Sequence, residues 1–147
     1  MKNVINKMTM TFPSRSSNEG FARTAAAAFV AQLDPTVDEL SDIKTAVSEA
    51  VTNCIVHAYK DSVGDILLCV EIGADNMVEI TVKDKGCGIE DIKKACEPMY
   101  TTGGQERSGM GFTIMESFMD SMRVRSAPGR GTSVRMKKRI SIRGTYR

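Results

Sequence analysis

Glu49-Ala50-Val51-Thr52-Asn53-Cys54-Ile55-Val56-His57-Ala58 is the stretch that decides the fold. It lies within a run from about Val37 to Tyr59 whose apolar residues recur at helical spacing, which predicts one long helix. Take about 100° per residue with Glu49 at zero. Leu40, Ile43, Val47, Val51, Cys54 and Ala58 then fall between roughly 120° and 200°, a core-facing stripe. Asn53 falls at about 40° and His57 at about 80°. Glu49, Asn53 and His57 therefore form a polar line off that stripe. A solvated helix face is one reading of such a line. Two features point elsewhere. Ala50, Ile55 and Val56 flank the line, and Asn is a poor former of helix interiors because its side chain competes for backbone hydrogen bonds. A carboxylate one turn from a carboxamide suits a metal–phosphate site. The Asn oxygen can bind Mg²⁺, and the Glu can polarise a hydroxyl or water.

Outward from this helix, the chain alternates strand pairs with helices. Met8, Met10 and Phe12 alternate with threonines, which predicts an opening strand ended by Pro13-Ser14. Ser16 or Ser17 can cap a first helix carrying Phe21, Ala25, Ala28 and Phe29 on one face, and Asp34-Pro35-Thr36 breaks it. Downstream, Ile66–Ile72 and Val78–Lys83 read as a hairpin through Gly73-Ala74-Asp75-Asn76. A short helix is expected at 90–96, a mobile polar loop at 98–108 and a helix over Phe112–Asp120. Closing strands are expected at Met122–Ser126 and Thr132–Arg139. Consecutive strand pairs argue against a doubly wound parallel sheet. The expected class is α/β, a two-layer sandwich with a mixed, mainly antiparallel sheet and helices on one face. Residues 1–147 read as a single domain, with about 137–147 a loose basic tail.

Composition narrows the function. The 147 residues are 41% hydrophobic and 26% charged, an ordinary globular balance. No apolar run approaches a bilayer span, and the start has no secretory pattern, so a cytoplasmic location without membrane contact is expected. Cys54, Cys69, Cys87 and Cys96 form no Cys-x-x-Cys pair, and the one histidine cannot complete a zinc set, so reduced thiols are expected. Net charge is +2, but residues 121–147 hold nine Lys or Arg and no acid. Arg135 and Lys137 alternate there with Val134 and Met136, as on a half-buried strand. No aromatics interleave the basic residues, which disfavours nucleic acid.

Two glycine loops carry further chemistry. Asp84-Lys85-Gly86-Cys87-Gly88-Ile89 comes directly after a strand; its glycines allow a tight turn and close approach, and its aspartate can accept from a base amino group. An ordinary strand-ending turn is the alternative. Ser108-Gly109-Met110-Gly111 precedes a helix, whose first N–H groups can bind phosphate or be plainly capped. Arg107 lies just upstream and can reach a terminal phosphate. Gly-x-x-x-x-Gly-Lys-Ser/Thr, Gly-x-Gly-x-x-Gly, the protein-kinase His-Arg-Asp and Gly-x-Ser-x-Gly are absent.

Glu49-x-x-x-Asn53-x-x-x-His57-Ala58 resembles the N-box of the GHKL superfamily of gyrases, Hsp90-type chaperones, histidine kinases and MutL-type proteins. Asp84-x-Gly86-x-Gly88-Ile89 resembles its first glycine box, Ser108-Gly109-Met110-Gly111 its second, and Gly131-Thr132 its closing pair. Residues 98–102 (Pro-Met-Tyr-Thr-Thr), 106–116 (Glu-Arg-Ser-Gly-Met-Gly-Phe-Thr-Ile-Met-Glu) and 29–36 are similar to one branch, the sporulation anti-sigma F factors.

That resemblance implies a GHKL α/β sandwich binding ATP or ADP with Mg²⁺. It implies Asp84 on the adenine amine, Asn53 on Mg²⁺, and Gly109, Met110 and Gly111 around the phosphates. His57, Gly86, Gly88, Thr101, Ser108 and Thr132 join the nucleotide site. Residues from about 97 to 108 form an ATP lid, Arg107 meets the γ-phosphate, and Glu49 is the base on a serine hydroxyl. The implied partners are a sigma factor of the sporulation sigma F type, the anti-anti-sigma factor as phosphorylation substrate, and a second copy in a homodimer. Arg23 resembles a partner-contact residue; a solvated helix charge is its alternative. Stress-response anti-sigma kinases and a non-catalytic, nucleotide-gated sigma-binding module are the competing readings. A histidine kinase would need a phospho-accepting histidine, and the only histidine is His57. A chaperone or mismatch-repair ATPase would need further domains.

Overall fold

The computed structural model describes residues 3–89 and 111–142. Five strands, β1 (Val4–Pro13), β2 (Asp65–Gly73), β3 (Met77–Asp84), β4 (Ser121–Ala127) and β5 (Gly131–Arg139), form one sheet in the order β1-β2-β3-β5-β4. Every pairing among the described strands is antiparallel, so the expected mixed character is not seen there. The helices are α1 (Ser17–Val30), α2 (Val37–Asn53) and α3 (Gly111–Phe118). α2 packs between α1 and α3. Alternation organises the sheet. Ile66, Leu68, Val70 and Ile72 on β2 are fully buried, as are Val78 and Ile80 on β3 and Met136 on β5, while Val82 and Val134 are nearly so. They meet Ile43, Val47 and Val51 of α2 in one core.

The predicted α2 stripe is largely observed, with Leu40 and Ala58 only half-buried. The α1 face is not. Ala22, Ala26, Ala27 and Val30 are buried, while Phe21 is 61% exposed and Ala28 lies outside. Small residues let two helices approach closely, and that closeness selected the alanine stripe over the bulkier one. Nor does a serine cap α1: Ser16 has helical backbone angles and makes no capping bond.

α2 starts cleanly because Asp34 takes a left-handed conformation and Thr36 is an N-cap with a full capping box. Thr36 Oγ1 accepts from Glu39 N at 3.0 Å, and Glu39 Oε1 accepts from Thr36 N at 2.9 Å. Glu39 also accepts from Ser141 N and Oγ, at 2.8 and 3.1 Å. This corrects the expected tail. β5 runs to Arg139, Ile140 is fully buried, and Ile140 N donates to Asn76 O. Residues 143–147 lie outside the described residues.

Burial alone would raise the Glu39 carboxyl; the bonds from Thr36 and Ser141 outweigh it and hold the group below its ordinary 4.5. A carboxyl lowered by folding stabilises the fold above its unfolded value, and that contribution is lost as pH falls through the lowered one. Thr36→Ala is expected to cost about 1 kcal/mol in urea unfolding at neutral pH. The deficit of Glu39→Ala relative to the parent should shrink as pH drops below 4.5.

Candidate active site

The N-box helix does not end as a regular α-helix. Residues Cys54–Ala58 form one π turn, closed by Tyr59 N donating to Cys54 O at 3.2 Å. A wider turn shifts the residues after it relative to a 3.6-residue lattice, so His57 does not keep the phase predicted for it. Such turns often sit at functional sites. Glu49, Asn53 and His57 are all half-buried, so their line is not a fully solvated face.

The start of α3 explains why. A Cβ added to Gly111 would lie 3.0 Å from Asn53 Oδ1, 3.1 Å from Asn53 Nδ2 and 3.4 Å from Glu49 Oε2. The end of the second glycine box therefore rests directly on the N-box pair, and only a glycine fits there without moving Asn53. A helix N-terminus facing a carboxamide and a carboxylate joins an anion-attracting dipole to a hard oxygen donor. Mg²⁺ usually takes one or two protein oxygens and completes its shell with phosphates and water, so Asn53 beside this glycine cradle fits it. Among the described residues no group of three or more His, Cys, Asp or Glu forms a metal cage of its own.

The other glycine loop builds a second wall. Asp84, at the end of β3, is 9% exposed. Its Oδ1 accepts from Gly86 N at 2.9 Å and Thr132 N at 3.2 Å, and its Oδ2 accepts from the Cys54 thiol at 3.4 Å. Burial, then the charge and hydrogen bond of Asp84, push the Cys54 thiol well above its ordinary value, so it stays protonated. The loop's amides are taken up in turn. Lys85 N donates to Tyr59 Oη at 2.6 Å, Cys87 N to Ala58 O at 3.1 Å and Ile89 N to Ser126 Oγ at 2.7 Å. Tyr59 Oη donates its own proton to Asp65 O at 2.8 Å. Gly86 packs against Ala58, whose Cβ would be 2.5 Å from an added one. Gly131, at φ +86°, lets β5 begin against Lys85, whose Cα would be 2.8 Å from a Cβ there. The result is a rigid shelf with one buried carboxylate at its centre.

Among the predicted residues, Glu49, Asn53 and Gly111 thus come together, as do Asp84, Gly86 and Thr132. His57 joins the shelf through its carbonyl, which accepts from the Cys87 thiol at 3.2 Å. Gly88 holds a left-handed turn at φ +78°. Thr101, Arg107, Ser108, Gly109 and Met110 lie outside the described residues, as does the lid. Arg23 is exposed on α1 and paired with Glu19, which also accepts from the Ser48 hydroxyl of α2. Cys54, Tyr59 and Ser126 belong to the site without any motif to mark them. Only the position of Cys54 beside Asn53 hints at its place; the reach of Ser126 from β4 is tertiary.

The chain that carries these two clusters matches a known domain. Residues 12–138 match the model of the histidine kinase-like ATPase domain. The chain is 57% identical over 136 residues to an anti-sigma F factor of Caldanaerobacter subterraneus, covering 92% of this chain and 94% of that one. It is 58% identical over 139 residues to one from Clostridium botulinum, covering 93% and 96%. The chain belongs to the anti-sigma F factor family. The GHKL fold expected from the four motifs and the anti-sigma F resemblance of residues 29–36, 98–102 and 106–116 hold at the level of the family, and a nucleotide-binding ATPase domain comes with them. Solved structures agree on the fold of this anti-sigma factor. The RsbU and RsbW domains of a Mycobacterium tuberculosis protein superpose with a TM-score of 0.69 at 20% identity, over 95% of this chain and 34% of that one. The mycobacterial sensor histidine kinase MprB gives 0.59 at 14%, over 92% and 100%. Among the described residues, no helix of the family member is long and apolar enough to cross a membrane.

Proposed function

We propose that this anti-sigma factor is an ATP-dependent serine kinase that phosphorylates an anti-anti-sigma protein and, as a cytoplasmic homodimer, holds a sporulation sigma factor of the sigma F type inactive. The observation that carries the reading is the contact of Gly111 with both Glu49 and Asn53. It sets a carboxylate, a carboxamide and a helix N-terminus within one side chain of each other, which supports the reading. The family's name supplies the sigma partner.

In this reading Asp84 accepts from the adenine amine on its rigid shelf, with Gly86, Gly88, His57 and Thr132 shaping the pocket. Asn53 would hold Mg²⁺, which when bound neutralises phosphate charge. Glu49 takes the proton of the substrate serine as its Oγ bonds to the γ-phosphorus. The bond to the β–γ bridging oxygen breaks and ADP leaves. Thr101, Arg107, Ser108, Gly109 and Met110 enter on the sequence resemblance, with Arg107 on the terminal phosphate. Arg23 is assigned to the partner face on the same ground. Phosphoserine then adds charge and excludes the product from an interface fitted to the neutral hydroxyl.

Two experiments test this. Sigma factor held by the chain with ATP should be released by the anti-anti-sigma protein while ATP is consumed; release with no ATP consumed would leave a nucleotide-gated binding module. Asn53→Ala should weaken ATP binding about tenfold or more in Mg²⁺ and far less in chelator, by calorimetric titration. Equal losses in both conditions would remove Asn53 from the metal role.

A further inference from the structure

The shelf carries a thiol that the proposed chemistry does not use. Cys54 is the first residue of the π turn, 5% exposed, with its Sγ 3.4 Å from Asp84 Oδ2. An ionised carboxylate offers about four acceptor sites. Among the described residues, Oδ1 of Asp84 receives two N–H donors, from Gly86 and Thr132. Oδ2 receives the thiol. One acceptor site is left, on Oδ2.

We infer that Cys54 is a positioning residue for base recognition: its thiol fixes the Asp84 carboxylate so that a single Oδ2 lone pair faces the exocyclic amine of adenine. The inference rests on the reading of Asp84 as the adenine acceptor. Three donors from three parts of the fold, the loop after β3, the start of β5 and the π turn, together define the carboxylate plane. The torsion that turns a carboxylate is soft, with no deep wells to hold it. Gly86 and Thr132 restrain only one oxygen, so without the thiol the other is set by two bonds on its neighbour. A carboxylate aimed in this way favours a base with an amino group and opposes one with a carbonyl at that place. Loss of the thiol therefore lowers discrimination between adenine and guanine more than it lowers nucleotide binding in general.

The test compares ADP and GDP affinities by calorimetry in the full chain, Cys54→Ala, Cys54→Ser and Asp84→Ala, with the infrared S–H stretch of the parent and Asp84→Asn as a second readout. Cys54→Ala should weaken ADP about threefold to tenfold, the scale of one net hydrogen bond, and leave GDP unchanged. Cys54→Ser, which keeps a donor, should restore most of the ratio. Asp84→Ala should abolish it. A buried S–H band should move to higher wavenumber in Asp84→Asn, where the acceptor is weaker, and this holds even if Cys54→Ala fails to fold. An ADP-to-GDP ratio unchanged in Cys54→Ala but abolished in Asp84→Ala would overturn the inference and leave Asp84 in its role. So would an S–H band indifferent to Asp84→Asn. A ratio unchanged in Asp84→Ala would overturn the adenine reading itself, and the inference with it.

Discussion

Glu49→Gln is expected to bind ATP as the parent chain does and to lose phosphoryl transfer by about 10²- to 10⁴-fold, the usual weight of a positioned general base. The amide keeps the shape of the carboxylate but cannot take a proton. Glu49 Oε2 lies 3.4 Å from where a Gly111 Cβ would be, so it borders the helix start rather than the adenine shelf, and nucleotide affinity should not feel the change. The matching measurements are nucleotide titration and single-turnover transfer. A variant that transfers phosphate at the parent rate would take Glu49 out of the base role and leave the polar line of α2 as a binding surface.

Gly111→Ala is expected to separate stability from binding. Gly111 begins α3 without a positive φ, so alanine meets no backbone strain there. In the interior of a helix the same change is worth up to about 1 kcal/mol; at the first position the gain is smaller, and the melting temperature should hold or rise. The added Cβ must nevertheless displace the Asn53 carboxamide, which it would meet at 3.0 Å. Hydrogen bonds to charged groups contribute about 1.5–3 kcal/mol, so ATP affinity should fall roughly 10- to 100-fold. A protein both stable and tight-binding would show that Asn53 has room to move and that the close approach has no role in the site. An unfolded one would show that the contact is structural.

How far sequence alone reaches depends on the range of the forces involved. Period-two alternation marks β1 and β5, where one face is more buried than the other, and the turn residues between apolar runs mark the rest, including β3, which is buried on both faces. The α2 stripe is legible for the same reason as β1 and β5. The α1 face is legible only in part: Phe29 packs against the core, but Phe21 is exposed and the helix docks mainly through Ala22, Ala26 and Val30, a choice made by the neighbouring helix. Rotation at a fixed angle places Glu49 and Asn53 on one side but cannot foresee the π turn that re-phases His57. Asp84 stands out as a carboxylate before two glycines. Thr132 is marked by its glycine pair, but its bond to Asp84 across 48 residues is not legible, and neither is that of Cys54 across 30. Ser126, which holds Ile89 N from β4, belongs to the same class of contact that only the assembled sheet creates.

The most direct test of the kinase reading is transfer of labelled γ-phosphate from ATP to the purified anti-anti-sigma protein, with the chain in excess and the labelled residue mapped. Label on serine that appears with the parent chain and stays at background with Glu49→Gln, at matched nucleotide occupancy, is the predicted result. No label from a parent chain saturated with ATP, or equal label from both proteins, would contradict it.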